Sequence, residues 1–339
     1  MKFDVVVGNP PFQESREDTR DDSIYNYFYD LAEKIAPQYI LISPARFLFN
    51  AGSTDKRWNK KMLNDEHIKV VYFEQDSSLV FSNTDIKGGV CIIHRNEEKN
   101  FGKIGTFTIY PELNSILHKV IVKGPETLDK FITGQGIYRF TKKMHEENPE
   151  VKSMLSINHP NDVGTSALEI LDNIIIFKNR PEDGKDYIQI LGRYNKERVY
   201  HWIRKDYINE PKCHHKYKVI ISKANGSGKL GEFLSSPIIG IPNVAFTQTF
   251  ISIGEFDDSL EAKNLQKYLN TKFLRLMLGV LKITQDNPAS KWKYVPWQDF
   301  SDNSDVDWSD SIENIDNYLF KKYNFDKHEI DFIHSIIEY

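Results

Sequence analysis

Residues 3–12 read FDVVVGNPPF, an apolar run that a glycine and two prolines end abruptly. The β-branched valines favour a short buried strand, and Gly8 permits an unusual turn after it. The prolines fix φ and remove two backbone donors, so Pro10 presents its carbonyl oxygen without a competing N–H. The sequence therefore predicts a rigid loop that offers the Asn9 amide, this carbonyl and the Phe12 ring to a planar ligand carrying an amino group.

The segments after this loop alternate between helix and strand patterns. Apolar residues recur at helical spacing and predict a helix that Ser23 caps and Pro37 ends. These residues are Ile24, Tyr27, Phe28, Leu31 and Ile35. Buried strands are predicted at residues 39–43, 70–73 and 88–95, with short connections. This order predicts an α/β layer with a mainly parallel sheet.

From about residue 125 the pattern changes to strand-like runs separated by Gly, Pro and Asn. Residues 261–281 then have strong helical periodicity, and Tyr268, Phe273 and Leu276 form an apolar stripe typical of a helix core. We therefore predict a second domain of mixed α+β character. The predicted division of the chain is residues 1–124, residues 125–300, and an acidic linker with a C-terminal helical segment at residues 301–339.

The composition limits the class of protein. A chain of 339 residues suits two domains, and its formal net charge of −4 gives no overall attraction to nucleic acid, so any basic surface must be local. Two cysteines provide no disulfide framework and fit a reducing compartment. No apolar run approaches the ~18 residues that a spanning helix needs. The sequence therefore predicts a soluble cytoplasmic protein without a membrane partner.

The predicted loop suits the chemistry of an aromatic amine. The exocyclic amine of adenine is a poor nucleophile because its lone pair is delocalised into the ring. A side-chain amide oxygen and a backbone carbonyl, each accepting one N–H, can orient that amine and favour a tetrahedral nitrogen. An aromatic ring after the prolines can stack on a base held outside the duplex.

Residues 3–12 resemble the catalytic motif of the S-adenosylmethionine-dependent N6-adenine DNA methyltransferases with an Asn-Pro-Pro-Phe motif. The resemblance implies that Asn9 and Pro10 bind the target amine, and that Phe12, after Pro11, stacks on a flipped adenine. Asn-Pro-Pro-aromatic motifs also occur in glutamine and RNA N-methyltransferases. The four residues therefore indicate the chemistry better than they indicate the substrate.

Further segments extend the resemblance. Residues 25–36, 39–48 and 86–93 look like the next helix, the next strand and a late strand of the family's sheet. Residues 268–275, 282–285 and 294–300 look like the target-recognition region of restriction–modification methylases, including bifunctional nuclease–methylases. The resemblance thus implies half of a Rossmann-like catalytic domain, its adenine-binding side, followed by a domain that recognises double-stranded DNA.

The implied function is site-specific N6-methylation of DNA adenine with S-adenosylmethionine, in a restriction–modification system and by base flipping. The family's fold normally begins with a Gly-rich cofactor loop upstream of this motif, and we find no such half here. A partner subunit or a longer reading frame would then supply it, and the adenine side of the sheet would present an open apolar edge to it. The alternatives are a truncated inactive remnant, a non-catalytic DNA-recognition (specificity) subunit, and, less favoured, an RNA or protein N-methyltransferase.

A permuted cofactor loop was sought at residues 226–231, which have GxGxxG spacing after a predicted strand. The match is weak because several residues separate the glycines from the strand, and Pro237 and Pro242 follow where a helix should run. We expect instead a recognition-domain loop that touches DNA phosphate. The residues that bind the cofactor therefore stay unassigned.

Basic residues interleaved with aromatic rings predict DNA contacts in the second part of the chain, with a solvated basic face as the alternative. The candidates are Arg193, Lys196, Arg198, Arg204, Lys205, Lys229, Lys291 and Lys293. The run Cys213-His214-His215 was considered as a metal site. Adjacent histidines are expected to point in different directions and no second ligand pair lies nearby, so we predict free surface residues and no metal.

Overall fold

The protein, described here by a computed structural model, divides into two compact units, residues 1–118 and residues 119–339. The structure describes residues 3–14, 22–82, 86, 88–282 and 284–339. Each unit is described by itself. The sequence-based division after residues 124 and 300 stays a prediction.

In its described residues the first unit contains a four-stranded sheet, a two-stranded sheet and two α-helices, and a third helix spans its boundary. Its strands are β1 (Val6–Gly8), β2 (Gln13–Glu14), β3 (Asp22–Ser23), β4 (Gln38–Pro44), β5 (Ile68–Glu74) and β6 (Val90–Asn96). Its helices are α1 (Tyr25–Ile35) and α2 (Lys56–Asn64), and α3 (Pro111–Val122) contains the boundary between the units.

The main sheet of this unit has the strand order β1-β4-β6-β5. β1 is parallel to β4, with Val7 opposite Ile40. β6 lies between β4 and β5 and is antiparallel to both. The expectation of a mainly parallel sheet is therefore wrong, because the last strand in sequence inserts between two earlier strands instead of being added at an edge.

β1 is an edge strand whose side chains are exposed. Val7 is 69% exposed and Val5 47%, so the prediction of a buried strand is wrong. The reason is its position, since among the described strands of this sheet β1 pairs with β4 alone. Apolar, β-branched residues thus lie on a strand whose outer backbone edge is open.

α1 buries a different face from the one predicted. Tyr25 and Tyr29 are buried, and the Tyr29 ring packs edge-on against Tyr39 with a centroid distance of 5.5 Å. Tyr27 is 65% exposed and Leu31 51% exposed. The capping prediction is also wrong, because Ser23 belongs to β3, and the residue that caps α1, Ile24, makes no side-chain cap. The helix has two apolar faces, and helical spacing could not indicate which one is buried.

The second unit combines two sheets with six helices in the part of the chain that the structure describes, not counting α3. The strands are β7 (Ile176–Phe177), β8 (Tyr187–Tyr194), β9 (Glu197–Arg204), β10 (Tyr217–Ser222), β11 (Ile238–Gly240), β12 (Val244–Phe246) and β13 (Phe250–Phe256). The helices are α4 (Lys142–Glu147), α5 (Ala167–Ile170), α6 (Ser259–Tyr268), α7 (Lys272–Gly279), α8 (Ile312–Lys322) and α9 (Lys327–Ile336). The two sheets have the orders β12-β8-β9-β7 and β11-β10-β13.

The helical prediction for residues 261–281 is correct in type but not in continuity. The segment forms α6 and α7, because Thr271 starts a new helix by accepting a hydrogen bond from the N–H of Leu274 at 3.1 Å. The predicted core stripe is confirmed, since Tyr268, Phe273 and Leu276 are fully buried. None of the helices in the described residues is long and apolar enough to cross a membrane.

Candidate functional site

The loop at residues 9–12 leaves β1 with its residues in contrasting environments. Asn9 and Pro11 are exposed, Pro10 is buried, and Phe12 is half-buried. In the described part of the chain the Asn9 side chain has no hydrogen-bond partner. An exposed amide beside a buried proline is the arrangement expected of a fixed loop that holds a free acceptor towards solvent.

Phe12 is anchored at both its backbone and its ring. Its carbonyl oxygen accepts the N–H of Ile24 at 3.2 Å, next to the short antiparallel ladder of β2 and β3. Its ring packs edge-on against Phe81, with centroids 5.8 Å apart and planes at 72°. One ring face of Phe12 therefore need not be covered by Phe81, because the contact is made at an edge.

Phe81 is a functional candidate that sequence reasoning missed. A turn at residues 76–81 positions it: the N–H of Phe81 donates to the carbonyl of Ser77 at 2.8 Å, and the Asp76 carboxylate accepts the N–H of Ser78 at 3.0 Å. The hydrogen bonds of the turn are local, but its contact with Phe12 is between residues far apart in the sequence. The Asp-Ser-Ser turn at residues 76–78 is visible in the sequence, whereas its partner is not.

The glycine-rich loop at residues 226–231 binds an anion that the chain itself supplies. The N–H groups of Ser227 and Gly228 donate to the Glu232 carboxylate at 2.7 and 3.0 Å, and Lys282 forms an ion pair with the same carboxylate. Burial raises the pKa of Glu232, but Lys282 and these amides outweigh it and hold the pKa below its usual range. The described residues after the loop form no helix before α6. The loop therefore does not fit a cofactor phosphate or methionine cradle.

Arg204 is held by partners within its own unit, so its prediction as a DNA contact gains no support from this geometry and stays a prediction. Its guanidinium is buried and forms ion pairs with Glu147 and Asp206, both at 2.6 Å, while it lies over the Tyr207 ring at 4.2 Å. The Asp206 carboxylate, which accepts hydrogen bonds from Arg204, and that of Glu147 outweigh burial and raise the pKa of Arg204 above its usual value. Four of the five guanidinium N–H groups are bonded to Glu147, Asp206 and Tyr207, which leaves one for any further acceptor.

Arg198 is also occupied within its own unit. Its guanidinium donates to the carbonyls of Ser235 and Ser236 at 3.1 and 2.7 Å and to the Ser222 hydroxyl at 3.1 Å. Burial lowers its pKa, and the neighbouring Arg193 adds to that effect. Arg198 therefore tethers the β9 strand to the loop before β11, and its prediction as a DNA contact has no support from this geometry.

The remaining predicted basic residues are accessible. Arg193 lies near the end of β8, and Lys196 lies in the tight turn between β8 and β9. In this turn Asn195 and Lys196 have φ values of 50° and 68°. Lys205, Lys229 and Lys293 are exposed, and Lys291 is half-buried. A hairpin tip with two free cations is a suitable phosphate-contacting element.

The Cys213-His214-His215 run is mostly internal, so the prediction of free surface residues is wrong for two of the three. Cys213 is 1% exposed and His214 is 0% exposed, whereas His215 is exposed. Burial raises the pKa of the Cys213 thiol and lowers the pKa of His214 to about 4. The carboxylate of Glu210 lies against both imidazole rings, a group that the sequence analysis did not consider.

A polar groove of about 650 Å³ opens beside this cluster. Its lining residues are Thr141, Gly184, Lys185, Asp186, Arg204, Lys205, Asp206, Ile208 and Glu210. Most of these side chains are charged, and Arg204 and Asp206 neutralise each other. The groove is therefore a wet, polar surface and not an apolar ligand pocket.

Comparisons with known proteins place the candidate loop in a matched segment. Residues 1–81 match the family described as the Eco57I restriction-modification methylase. A curated protein of Mycoplasma pneumoniae, described as an uncharacterized adenine-specific methylase, is 33% identical over 96 residues, which are 27% of this chain and 23% of that protein.

Two solved structures are similar at low identity. The type IIL restriction-modification enzyme MmeI in complex with DNA is 11% identical with a TM-score of 0.31, covering 99% of this chain and 52% of that one. The type IIG restriction endonuclease BpuSI is 10% identical with a TM-score of 0.33, covering 93% of this chain and 48% of that one. The chain thus spans about a quarter of the curated relative and about half of each solved structure. Its first 81 residues, including the loop at residues 9–12, are those that resemble a restriction-modification methylase family.

Proposed function

We propose that the chain carries the adenine-binding side of a restriction–modification DNA adenine N6-methyltransferase. One observation carries the proposal: the Asn9 amide is exposed and unpaired in the described structure, on a loop whose Phe12 ring is fixed by Phe81. The loop lies within the segment that matches the methylase family. The relative described as an adenine-specific methylase supports adenine as the base.

The loop acts by positioning. A target adenine leaves the duplex, and its ring stacks on Phe12 while the edge contact of Phe81 prevents Phe12 from rotating away. The Asn9 side-chain oxygen and the Pro10 carbonyl each accept one N–H of the amine. These two hydrogen bonds favour a tetrahedral nitrogen and direct its lone pair towards the methyl donor. No residue of matched pKa is required for this step.

The cofactor of this class, S-adenosylmethionine, supplies the methyl group when it is bound. The loop at residues 226–231 does not suit its cradle, because Glu232 already accepts the N–H groups of Ser227 and Gly228. We therefore assign no residue of this chain to the cofactor.

A second part of the enzyme would supply the cofactor side, by pairing with the open edge of β1. Val5, Val7, Tyr27 and Leu31 are exposed apolar side chains on β1, on its flank and on α1. A strand and helix docking there would pair the free backbone groups of β1 and cover these side chains. This surface supports a split or longer enzyme better than a complete catalytic domain within these residues.

Double-stranded DNA would contact the second unit through its accessible cations. Arg193 and Lys196 at the β8–β9 hairpin tip, with Lys205, Lys229 and Lys293, are the proposed phosphate contacts. Because the net charge is −4, attraction to DNA must come from such local groups. A non-catalytic DNA-recognition subunit would use the same surface, so DNA binding alone does not separate it from the enzyme.

The test is methyl transfer by the chain purified from its native cells with any polypeptide that accompanies it. Tritium transfer from S-adenosylmethionine to DNA, RNA and protein is measured in parallel. We expect DNA adenine to be labelled, and Asn9→Ala to lower the rate by about 100-fold or more, because a group directed at the reacting nitrogen is lost. Gel-shift binding of DNA should be unchanged.

Asn179→Ala is the matched control, since Asn179 is an exposed asparagine of the second unit. Its transfer rate should equal that of the unaltered chain. Full activity of Asn9→Ala would contradict the role of the loop. DNA binding without labelling in any preparation would favour the non-catalytic subunit, and labelling of RNA or protein in place of DNA would change the substrate.

A further inference from the structure

Glu210, His214 and His215 bring three metal-ligating atoms together in the second unit. Their carboxylate and imidazole ligand atoms all lie within 4.8 Å of one another. The short 3-10 turn Lys212–His215 produces this arrangement, because it brings two successive rings to centroids 5.0 Å apart with planes at 72°. The expectation that adjacent histidines diverge is therefore wrong for this turn.

The two contacts of Glu210 have the spacing of a coordination shell. Its carboxylate oxygens lie 3.1 Å from Nε2 of His215 and 3.8 Å from Nε2 of His214. Ligand atoms around a tetrahedral Zn²⁺ with bonds of 2.0–2.1 Å are separated by about 3.3 Å. No pair of the three ligand atoms is more than 4.8 Å apart, so each pair needs to close by at most about 1.5 Å to reach that distance.

His214 supplies an independent reason to expect a ligand. Its side chain is completely buried, and its Nε2 atom has no hydrogen-bond partner in the described structure. A buried polar atom without a partner loses its hydration and gains no hydrogen bond in return, so native structures rarely retain one without a reason. This nitrogen faces the Glu210 carboxylate, into the centre of the cluster.

The outer hydrogen bonds direct the Nε2 lone pairs inward. Nδ1 of His215 lies 3.0 Å from the side-chain oxygen of Asn243, and Nδ1 of His214 lies 3.4 Å from the Tyr138 hydroxyl. An Nδ1–H that donates to Asn243 leaves Nε2 of His215 as an acceptor facing a carboxylate acceptor. A cation or a proton must lie between them, and such outer hydrogen bonds are typical of metal-bound histidines.

We propose that Glu210, His214 and His215 bind a divalent transition-metal ion, Zn²⁺ first among them. Two imidazoles and one carboxylate are borderline ligands that suit Zn²⁺ and exclude Mg²⁺ and Ca²⁺, which prefer oxygen alone. Three protein ligands leave a fourth position for water, on the side of the polar groove that Glu210 lines. The ion fixes the connection between β9 and β10.

Lys205 is the competitor of the metal. Its ammonium lies 3.5 Å from the Glu210 carboxylate, where it partly neutralises the charge that the ion would bind. Its side chain is 48% exposed, so it can move into solvent when the ion enters. Removing Lys205 should therefore strengthen metal binding, whereas removing a ligand should weaken it.

The test is titration of the full chain, freed of any polyhistidine tag and of bound metal, with Zn²⁺ by calorimetry and with Co²⁺ by visible absorption. We expect one Zn²⁺ per chain, a Zn²⁺-dependent rise in Tm, and the intense Co²⁺ bands of tetrahedral coordination. His215→Ala and Glu210→Gln alter side chains that are 56% and 26% exposed, and both variants should still fold. Each should weaken Zn²⁺ by at least about tenfold, the loss caused by removing even an outer-shell partner.

His159→Ala is the matched control, because His159 is an exposed histidine 3.9 Å from the Asp162 carboxylate. It should leave Zn²⁺ affinity unchanged, and Lys205→Ala should raise it. Lack of saturable binding by the unaltered chain would overturn the proposal. Binding that His215→Ala and Glu210→Gln leave intact, or that His159→Ala abolishes, would overturn it equally. None of these readouts depends on methyl transfer, so the proposed function can fail separately.

Discussion

The two compact units differ in whether their polar and apolar side chains find partners within the same unit. In the first unit the groups stay open: Asn9 is unpaired among the described residues, and Val7 is 69% exposed on an edge strand. In the second unit the charged groups close on one another, as Glu232 does with Lys282 and Arg204 with Glu147. Among the described residues, the first unit thus leaves an amide and apolar side chains uncovered, whereas the second pairs several of its buried charges internally.

The largest expected effect on the stability of the second unit comes from breaking the Lys282–Glu232 ion pair. Lys282→Ala removes a cation that is 2% exposed and leaves the Glu232 carboxylate, at 16% exposed, without its partner. We expect the free energy of unfolding to fall by about 3–5 kcal/mol, the loss typical of removing one partner of a buried ion pair, because the N–H groups of Ser227 and Gly228 do not replace the ammonium. Denaturant unfolding followed by circular dichroism measures this loss.

An exposed ion pair provides the comparison for that variant. Lys327→Ala breaks the pair with Asp331, whose side chains are 87% and 61% exposed. Its effect should stay below about 1 kcal/mol, as for most surface pairs. Equal losses in Lys282→Ala and Lys327→Ala would mean that the second unit is not held by its internal charge pairs.

The difference between the units also explains how much the sequence could predict. The loop at residues 9–12 could be proposed from the sequence because its predicted chemistry resides in adjacent residues and a stiff backbone. The sequence could not show that Arg204 pairs with Glu147, because that contact depends on packing that no local pattern records. The exposed face of α1 was missed for the same reason, since both faces of that helix are apolar and tertiary contacts chose Tyr25 and Tyr29.

The glycine-rich loop and the histidine pair both show that spacing in the sequence does not reveal which groups already have partners. Spacing alone made residues 226–231 a weak cofactor candidate, and the structure fills its amides with Glu232, a residue adjacent in sequence. Spacing alone also led to the dismissal of His214 and His215, and the 3-10 turn aligns them with Glu210. A one-dimensional pattern records which groups are present but not which of them are already satisfied.

A buried carboxylate of the second unit makes the stability of the folded chain depend on pH. Asp316 is fully buried and accepts the N–H groups of Lys272 and Phe273, both at 2.9 Å, at the start of α7. Burial raises its pKa to about 6, although these hydrogen bonds oppose the shift. Between about pH 4 and 6 the folded chain therefore holds a proton that the unfolded chain has lost, and stability falls as the pH rises through this window.

Asp316→Asn removes this dependence. The unfolding free energy of the unaltered chain minus that of Asp316→Asn should fall by up to about 3 kcal/mol between pH 4 and pH 7, since one pKa unit corresponds to about 1.4 kcal/mol. Asp305→Asn is the opposite control. Burial raises the pKa of Asp305, but its bond with Lys322 outweighs this and lowers it, so its contribution is lost as the pH falls. Identical slopes for both variants would contradict the assignment.

The smallest expected changes in unfolding free energy come from replacing one valine in each unit by alanine. Val219 on β10 is fully buried, whereas Val7 on β1 is 69% exposed. Val219→Ala should lower the free energy of unfolding by about 2 kcal/mol, because it removes buried methyl groups and leaves a cavity. Val7→Ala should change it by less than about 0.5 kcal/mol, as substitutions of exposed side chains generally do.

If a strand of another polypeptide covers β1, the same Val7→Ala change weakens that association while leaving the stability of the isolated chain unaltered. A large loss of stability for Val7→Ala in the isolated chain would instead mean that its side chain is already packed, and the open edge of the first unit would not be a docking surface.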